Sequence, residues 1–130
     1  MSENQQVVLS FIQACNARDI NKALEFLAAD CFYHNIPLEP VVGIEAIRSV
    51  LAPMFAVSSK VDWVVHNVAE TTTGKVLTER TDRFLIKGKW VEVPVMGVFE
   101  LQNGKVTAWR DYFDANQVIS QWPESANGLR

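Results

Sequence analysis

The amino-acid sequence predicts an α+β domain in which helices come first and a long antiparallel meander of strands follows. Apolar residues recur at three- and four-residue steps as far as Pro53, and at every second position from Lys60 onward. The turns between the later segments carry hairpin residues, of which Asn103-Gly104 is the strongest signal. Helices covering one face of a curved sheet leave a cone-shaped internal pocket.

Three to four helices are expected in the N-terminal part. A helix over residues 5–17 is followed by one over residues 20–29, for which Asp19 is placed as the N-cap. An extended stretch over residues 32–37 comes next, and Gly43 opens a third helix whose end is crowded by Pro53. The first two helices therefore form a hairpin.

Four strands are expected in the second part, over residues 60–70, 75–87, 90–101 and 105–114. No repeat, linker or low-complexity segment interrupts the chain, so residues 1–130 are interpreted as one domain with a loose tail over residues 123–130. A chain of 130 residues with 48% hydrophobic residues is long enough to bury one sizeable core.

The charge distribution argues against two classes of partner. The formal net charge is −3 and there is no run of Lys or Arg, so neither a nucleic acid nor an anionic membrane surface is expected as a partner. No segment approaches the roughly 20 apolar residues of a membrane span, and a cytoplasmic protein is expected. Cys15 and Cys31 form no metal-binding pattern and are interpreted as reduced structural thiols.

The strand over residues 75–87 carries charge on its apolar face. Alternation places Arg80 and Asp82 between apolar residues on the face expected to point inward. Because desolvating each ion costs several kcal/mol, buried charges need partners. Taken alone, the pair is explained better by a structural ion pair than by catalysis.

A third charge changes this interpretation. In the last strand Asp111 shares a face with Trp109 and Phe113, and a lone acid between large aromatic residues is unusual. If both strands face one cavity, Arg80 can lie between Asp82 and Asp111. Such a trio can separate the roles of acid and base, because like-charged carboxyl groups push their proton affinities apart.

Upstream, Tyr33 and Asn35 lie on the same side of an extended segment and could hold a water molecule, although such residues more often serve as structural hydrogen-bonding groups. His34 points away from them. Neither His34 nor His66 has a visible acid or metal partner, and both are interpreted as structural.

Several segments together resemble a known family: Tyr33-His34-Asn35, Glu79-Arg80-Thr81-Asp82-Arg83-Phe84, Pro94-Val95-Met96-Gly97-Val98-Phe99-Glu100 and Trp109-Arg110-Asp111-Tyr112-Phe113-Asp114. In content, order and spacing they resemble the limonene-1,2-epoxide hydrolases, within the cystatin-like α+β fold typified by nuclear transport factor 2 (the NTF2-like fold). The resemblance spans nearly the whole chain. The fold alone would be weak evidence, since it hosts many functions.

The resemblance implies an activity and a role for each of five residues. Asp111 would be the general base, Tyr33 and Asn35 would help it to fix the nucleophilic water, Asp82 would protonate the epoxide oxygen, and Arg80 would bridge the two aspartates. A small apolar epoxide and water would be the substrates. The resemblance also implies that there is no covalent intermediate, no cofactor and no metal, and that the protein forms a homodimer through its sheets.

Substrate-binding residues are predicted less sharply than the catalytic set. The expected pocket lining is Leu38, Val50, Met54, Phe55, Leu77, Met96 and Val98. Two other functions remain open at this point: an isomerase or polyketide cyclase of the same fold, and a non-catalytic ligand-binding module in which the trio is a structural network.

Overall fold

A computed structural model describes residues 1–123, which form a six-stranded sheet and four helices. In chain order the elements are α1 (Glu3–Asn16), α2 (Ile20–Glu25), β1 (Leu27–Asn35), β2 (Val41–Val42), α3 (Ile44–Val57), β3 (Lys60–Glu70), β4 (Val76–Ile86), β5 (Lys89–Gln102), β6 (Lys105–Tyr112) and α4 (Ala115–Gln121). The predicted α+β class is confirmed.

The sheet is mixed, with strand order β2-β1-β6-β5-β4-β3. Strands β3 to β6 form the expected antiparallel meander, whereas β1 runs parallel to β6. The parallel pairing sets Tyr33 beside Trp109 and Asn35 beside Asp111. The first long strand of the chain is thereby joined to the last.

The core lies between the helices and the inner face of the sheet. The alternation of buried and more exposed residues along β4 shows which face is the inner one. Every second residue of β4 from Val76 to Ile86 is buried, and the residues between them are exposed or half-buried. Helix α1 begins at an N-cap formed by Ser2, whose side chain accepts a hydrogen bond from the Gln5 amide at 3.1 Å. Its apolar stripe packs onto the inner face of the sheet, where Phe11 meets the Trp109 ring edge-on at 5.0 Å.

The boundary between the second helix and the first strand differs from the sequence prediction. Helix α2 ends at Glu25, and β1 begins at Leu27 and ends at Asn35, whereas a helix to residue 29 and an extended segment over residues 32–37 were predicted. The Val106 amide donates to the Phe26 carbonyl at 2.9 Å, so pairing with β6 starts at this point. Tertiary hydrogen bonding therefore overrides the helical preference of Leu27-Ala28-Ala29.

The fourth helix lies near the C-terminus, whereas all helices were predicted in the N-terminal part. Three helices precede the meander, and α4 follows it, with Asp114 as N-cap through a 2.9 Å bond from the Asn116 amide. Helix α4 brings Val118 and Trp122 into the core. Apart from Pro123, the predicted loose tail lies outside the described residues.

Both cysteines are buried and free, as predicted. Burial raises the pKa of Cys15 well above its ordinary value and that of Cys31 to about 12, the latter also through the charge of Asp30. Both side chains therefore stay as neutral thiols near neutral pH. Across residues 1–123, none of the helices combines the length and the apolar character needed to cross a membrane.

Candidate active site

Three strands of the sheet bring the charged residues of the site together. Arg80 and Asp82 lie on β4 and Asp111 lies on β6, with β5 between these two strands. Gly97 of β5 pairs with Thr78 on one side and with Asp111 on the other. The Arg80 side chain must therefore cross β5 to reach Asp111.

Gly97 makes this crossing possible. A Cβ atom at this position would collide with Nη1 of Arg80 and would lie 2.7 Å from Asp111 Oδ1 and 2.9 Å from Thr78 Oγ1. Such distances are shorter than carbon atoms tolerate next to nitrogen or oxygen. A residue without a side chain is therefore required beneath the guanidinium.

The Arg80 guanidinium is fully buried and uses all five of its N–H donors. Nε and Nη2 donate to Asp82 Oδ1 and Oδ2, both at 2.9 Å. Nη2 also donates to Asp111 Oδ2 at 2.9 Å, and Nη1 donates to Asp111 Oδ1 at 3.2 Å and to Thr78 Oγ1 at 3.0 Å. The expected contact of one arginine with both aspartates is present.

The two aspartates have different surroundings. Asp111 accepts a third bond, from the indole Nε1 of Trp109 at 2.8 Å, so three donors face its carboxylate. Among residues 1–123, the donors to Asp82 are the two N–H groups of Arg80. Because hydrogen bonds to a carboxylate stabilise its charged form, a shared proton fits better on Asp82 than on Asp111.

Burial also favours a proton on Asp82. Desolvation raises the pKa of Asp82, and the nearby Arg80 charge only partly offsets that effect. Burial alone would lower the pKa of Arg80, but the two carboxylates more than compensate, so the net shift is upward and the guanidinium stays charged. A neutral acid, a cation and a carboxylate are therefore compatible in one buried cluster.

Tyr33 and Asn35 lie beside Asp111, as predicted. The Tyr33 phenol donates to Asn35 Oδ1 at 3.1 Å, and its ring stacks on Trp109 with centroids 4.0 Å apart. Burial and the charge of Asp111 raise the pKa of Tyr33 well above its ordinary value, so the phenol remains a donor. His34 lies outside this group and contacts the Leu38 carbonyl.

A cavity of about 450 Å³, counted out to its mouth, opens beside these polar groups. Four polar residues share its wall with two tryptophans and with aliphatic and phenylalanine side chains; the lining is Tyr33, Asn35, Met54, Trp63, Asp82, Phe84, Val93, Val95, Asp111, Phe113, Val118 and Trp122. Polar groups converge on one part of an otherwise apolar space.

Of the predicted pocket lining, only Met54 borders this cavity. The prediction was wrong for Leu77, Met96 and Val98, because alternation places them on the outer face of β4 and β5. The other three predicted residues also lie elsewhere: Leu38 is 44% exposed in the loop after β1, Phe55 packs in the core against Trp63, and Val50 packs on the core from α3.

Sequence reasoning missed several residues that shape the site. Trp109 was placed on the face of Asp111, but its hydrogen bond to Asp111 was not foreseen, and neither was the bond between Thr78 and Arg80. Thr78 and Trp109 each lie two residues before their partner, which was the available signal, since such residues are same-face neighbours on a strand. Helix α4 also has a readable start, an Asp at its N-cap with a Gln three residues later.

A buried carboxylate–arginine–carboxylate cluster inside a mixed sheet covered by helices defines an NTF2-like protein with a site suited to acid–base chemistry. The family described as "Limonene-1,2-epoxide hydrolase catalytic domain" matches residues 2–124. The chain belongs to this family of epoxide hydrolases.

Individual relatives agree with this assignment. The "Epoxide hydrolase EphG" of Mycobacterium tuberculosis is 32% identical over 114 residues, which cover 86% of this chain and 74% of that protein. The "Structure of an M.tuberculosis LEH-like epoxide hydrolase" superimposes with a TM-score of 0.80 at 29% identity, covering 92% of this chain and 88% of the other. A "Putative SnoaL-like polyketide cyclase from Jannaschia Sp. CCS1" reaches a TM-score of 0.78 at 21% identity over 92% and 90% of the chains, a likeness of fold alone.

Proposed function

We propose that this protein adds water to an apolar, cyclic epoxide in one step and releases a vicinal diol, without a covalent intermediate and without a metal or other cofactor. The observation that carries the proposal is the buried cluster of Arg80 between Asp82 and Asp111, which borders an apolar cavity. Opening a strained ring with water needs a base and an acid on opposite sides of the reacting bonds.

Asp111 is the base in this proposal. Its carboxylate lies beside Asn35 and Tyr33, and the bond from the phenol to Asn35 Oδ1 leaves the Asn35 amide group free to donate to a water molecule. A water placed between these residues loses one proton to Asp111 as its oxygen bonds to an epoxide carbon. Three donors on Asp111 fix the carboxylate in position for this transfer.

Asp82 is the acid. Its raised pKa favours the protonated form, and it borders the cavity. As the carbon–oxygen bond of the ring breaks, the proton of Asp82 passes to the departing oxygen. The water contributes a hydroxyl group to one carbon, Asp82 contributes a proton to the other oxygen, and transfer of one proton from Asp111 back to Asp82 through solvent restores the enzyme.

Arg80 keeps the two carboxyl groups in fixed positions and stabilises whichever of them is charged. Before the reaction Asp111 is charged and Asp82 neutral; after it the charges are exchanged, while Arg80 contacts both throughout. A preorganised cation of this kind costs no reorganisation as the proton moves. An isomerase or cyclase that moves one proton next to a carbonyl has no comparable use for an arginine between two acids.

A homodimer is part of the proposal. Across the outer face of the sheet Leu77 pairs with Val98 and Met96 pairs with Tyr112, and Met96 and Tyr112 are 46% and 47% exposed. Such an apolar strip on an outer face supports association of two sheets. Sedimentation velocity should give twice the 14.6 kDa chain mass, and Met96→Glu should shift it to the monomer; a monomeric parent protein would refute this part.

Hydrolysis in oxygen-18 water tests the mechanism. With enzyme in excess over cyclohexene oxide, a single turnover should give a diol that carries the label, and peptides containing Asp82 and Asp111 should remain unlabelled. Label in either aspartate would show an ester intermediate and refute direct attack by water. Absence of any diol with a panel of cyclic and aryl epoxides would refute the epoxide hydrolase activity for these substrates.

A further inference from the structure

Two tryptophans in the cavity wall have a hydrogen-bond donor with no partner. Trp63 and Trp122 are only 4% and 3% exposed, and both line the cavity. Their indole Nε1 atoms are the only buried side-chain nitrogen or oxygen atoms in residues 1–123 that lack a hydrogen bond. A buried donor left unpaired is costly, and native proteins leave few of them.

A third buried indole shows how such a donor is normally satisfied. Trp109 donates its Nε1–H to Asp111 at 2.8 Å. Trp63 is packed against Phe55, Phe84 and the Arg80 guanidinium, with ring centroids 6.5 and 6.3 Å away and the guanidinium carbon 5.5 Å from its own ring. Close packing on several sides leaves its ring little freedom to turn toward another protein acceptor.

Within residues 1–123, neither of the two indole N–H groups reaches a protein acceptor. Besides its four polar residues, the cavity that the two indoles line is formed by Met54, Phe84, Val93, Val95, Phe113 and Val118, and none of these six side chains carries oxygen or nitrogen. The polar side chains of the cavity are engaged elsewhere: the two carboxyl groups bind Arg80, and the phenol binds Asn35. The acceptor that suits the two indoles is therefore a molecule bound in the cavity.

Both indoles lie on the side of the proposed acid. Trp63 pairs with Asp82 across β3 and β4. Trp122 contacts Phe84 with ring centroids 6.4 Å apart, and Phe84 is the next same-face residue after Asp82. Same-face neighbours on a strand are about 7 Å apart, so both indole rings lie near the proposed acid.

We propose that the physiological substrate is an epoxide that carries a carbonyl group a few bonds from the ring oxygen, and that Trp63 and Trp122 donate to that carbonyl. This inference rests on the proposed function and names its substrate class. A carbonyl oxygen has two lone pairs and can accept from both indoles. A hydroxyl group fits less well, because its own hydrogen would find no acceptor among the apolar side chains.

Matched substrates test the specificity. The wild-type chain should hydrolyse a bicyclic epoxy ketone with a kcat/KM about tenfold or more above that of the same epoxide with CH2 in place of the carbonyl, as one well-made hydrogen bond predicts. Trp63→Phe and Trp122→Phe should each lower this preference, by raising KM for the epoxy ketone more than KM for the hydrocarbon epoxide, with a smaller change in the ratio of the two kcat values. Trp90→Phe, on a residue that stacks on Arg83 away from the cavity, is the control.

Binding without turnover gives a second readout on the unmodified chain. In ¹⁵N–¹H spectra, the saturated ketone without the epoxide should shift the indole N–H signals of Trp63 and Trp122 downfield, and the parent hydrocarbon should not. Equal preference for both epoxides in all variants, or equal shifts with both ligands, would overturn the inference. If neither epoxide reacts but the ketone shifts the two signals, the hydrolase proposal fails and the carbonyl site stands.

Discussion

Strand β4 carries two arginines, each bound to two carboxylates, on opposite faces of the sheet. Arg80 on the inner face binds Asp82 and Asp111, and none of these side chains is more than 8% exposed. Arg83 on the outer face binds Glu92 at 2.6 Å and Asp62 at 2.8 Å, with all three side chains 27 to 50% exposed. Each guanidinium also lies near a tryptophan ring, Trp63 inside and Trp90 outside.

The two clusters have nearly the same composition, so their difference isolates the effect of water. Outside, solvent screens the charges, and such a pair contributes about 0 to 1 kcal/mol. Inside, desolvation changes the proton affinity of Asp82 and makes every unmatched charge costly. A pattern of charges therefore becomes a candidate for catalysis only where the fold excludes water from it.

The largest expected difference between the clusters is in activity. Asp111→Asn and Asp82→Asn should each lower kcat/KM for the epoxide by about 10² to 10⁴-fold, because a base or an acid is lost. Asp62→Asn removes a carboxylate from the outer cluster and should leave kcat/KM within about twofold of the parent value under the same reasoning. Near-normal hydrolysis by either inner variant would refute the assigned roles.

The second-largest expected difference is in the stability lost when each arginine is replaced. Arg80→Met leaves two buried carboxyl groups without their cation and should lower the free energy of unfolding by about 3 to 5 kcal/mol. Arg83→Met should lower it by no more than about 1 kcal/mol. Urea titration at pH 7 measures both values, and similar losses in the two variants would mean that burial does not distinguish the clusters.

A smaller effect is expected when the space beneath the inner guanidinium is filled. Gly97→Ala should push Arg80 away from Asp111, costing about 1 to 3 kcal/mol of stability and lowering kcat. Gly88→Ala is the control, since its Cβ meets nothing within 4 Å, although its φ of +79° costs some strain. The control should lose stability with unchanged kcat; unchanged kcat in Gly97→Ala would contradict the crowding argument.

The pH dependence of stability should give the smallest difference. The folded-state pKa of Asp82 is raised, so the folded protein holds a proton that the unfolded chain has already released. Between the ordinary carboxyl value of about 3.9 and that raised value, stability must fall as pH rises. The outer-cluster variant Asp62→Asn should keep this fall, and Asp82→Asn should lose it. Urea titrations between pH 4 and 8 measure the slopes, and an unchanged slope in Asp82→Asn would contradict the cause.

Much of this arrangement could be predicted from local patterns in the sequence. Alternation in β4 and β6 placed Arg80, Asp82 and Asp111 on inner faces, because a period of two is a direct consequence of strand geometry. The same rule, had it been applied to Leu77, Met96 and Val98, puts them on the opposite face. Their selection as pocket residues followed hydrophobicity instead of the face, and the structure corrects it.

Other features depend on contacts that the sequence does not display. The parallel pairing of β1 with β6 joins segments that are more than 70 residues apart, and no local signal specifies it. The need for Gly97 arises only when Arg80 crosses β5, and the roles of Trp63 and Trp122 depend on which acceptors surround them. These properties belong to the assembled molecule.

The parallel pairing of β1 with β6 also bears on the order in which the protein can become active during synthesis. Asn35 leaves the ribosome long before Asp111, and Arg80 and Asp82 emerge between them. Until the last strand is translated, Arg80 lacks one of its two carboxylates and the proposed water-binding residues have no carboxylate beside them. Catalytic activity should therefore report completion of the sheet, and truncated nascent chains should be inactive even where their helices have already formed.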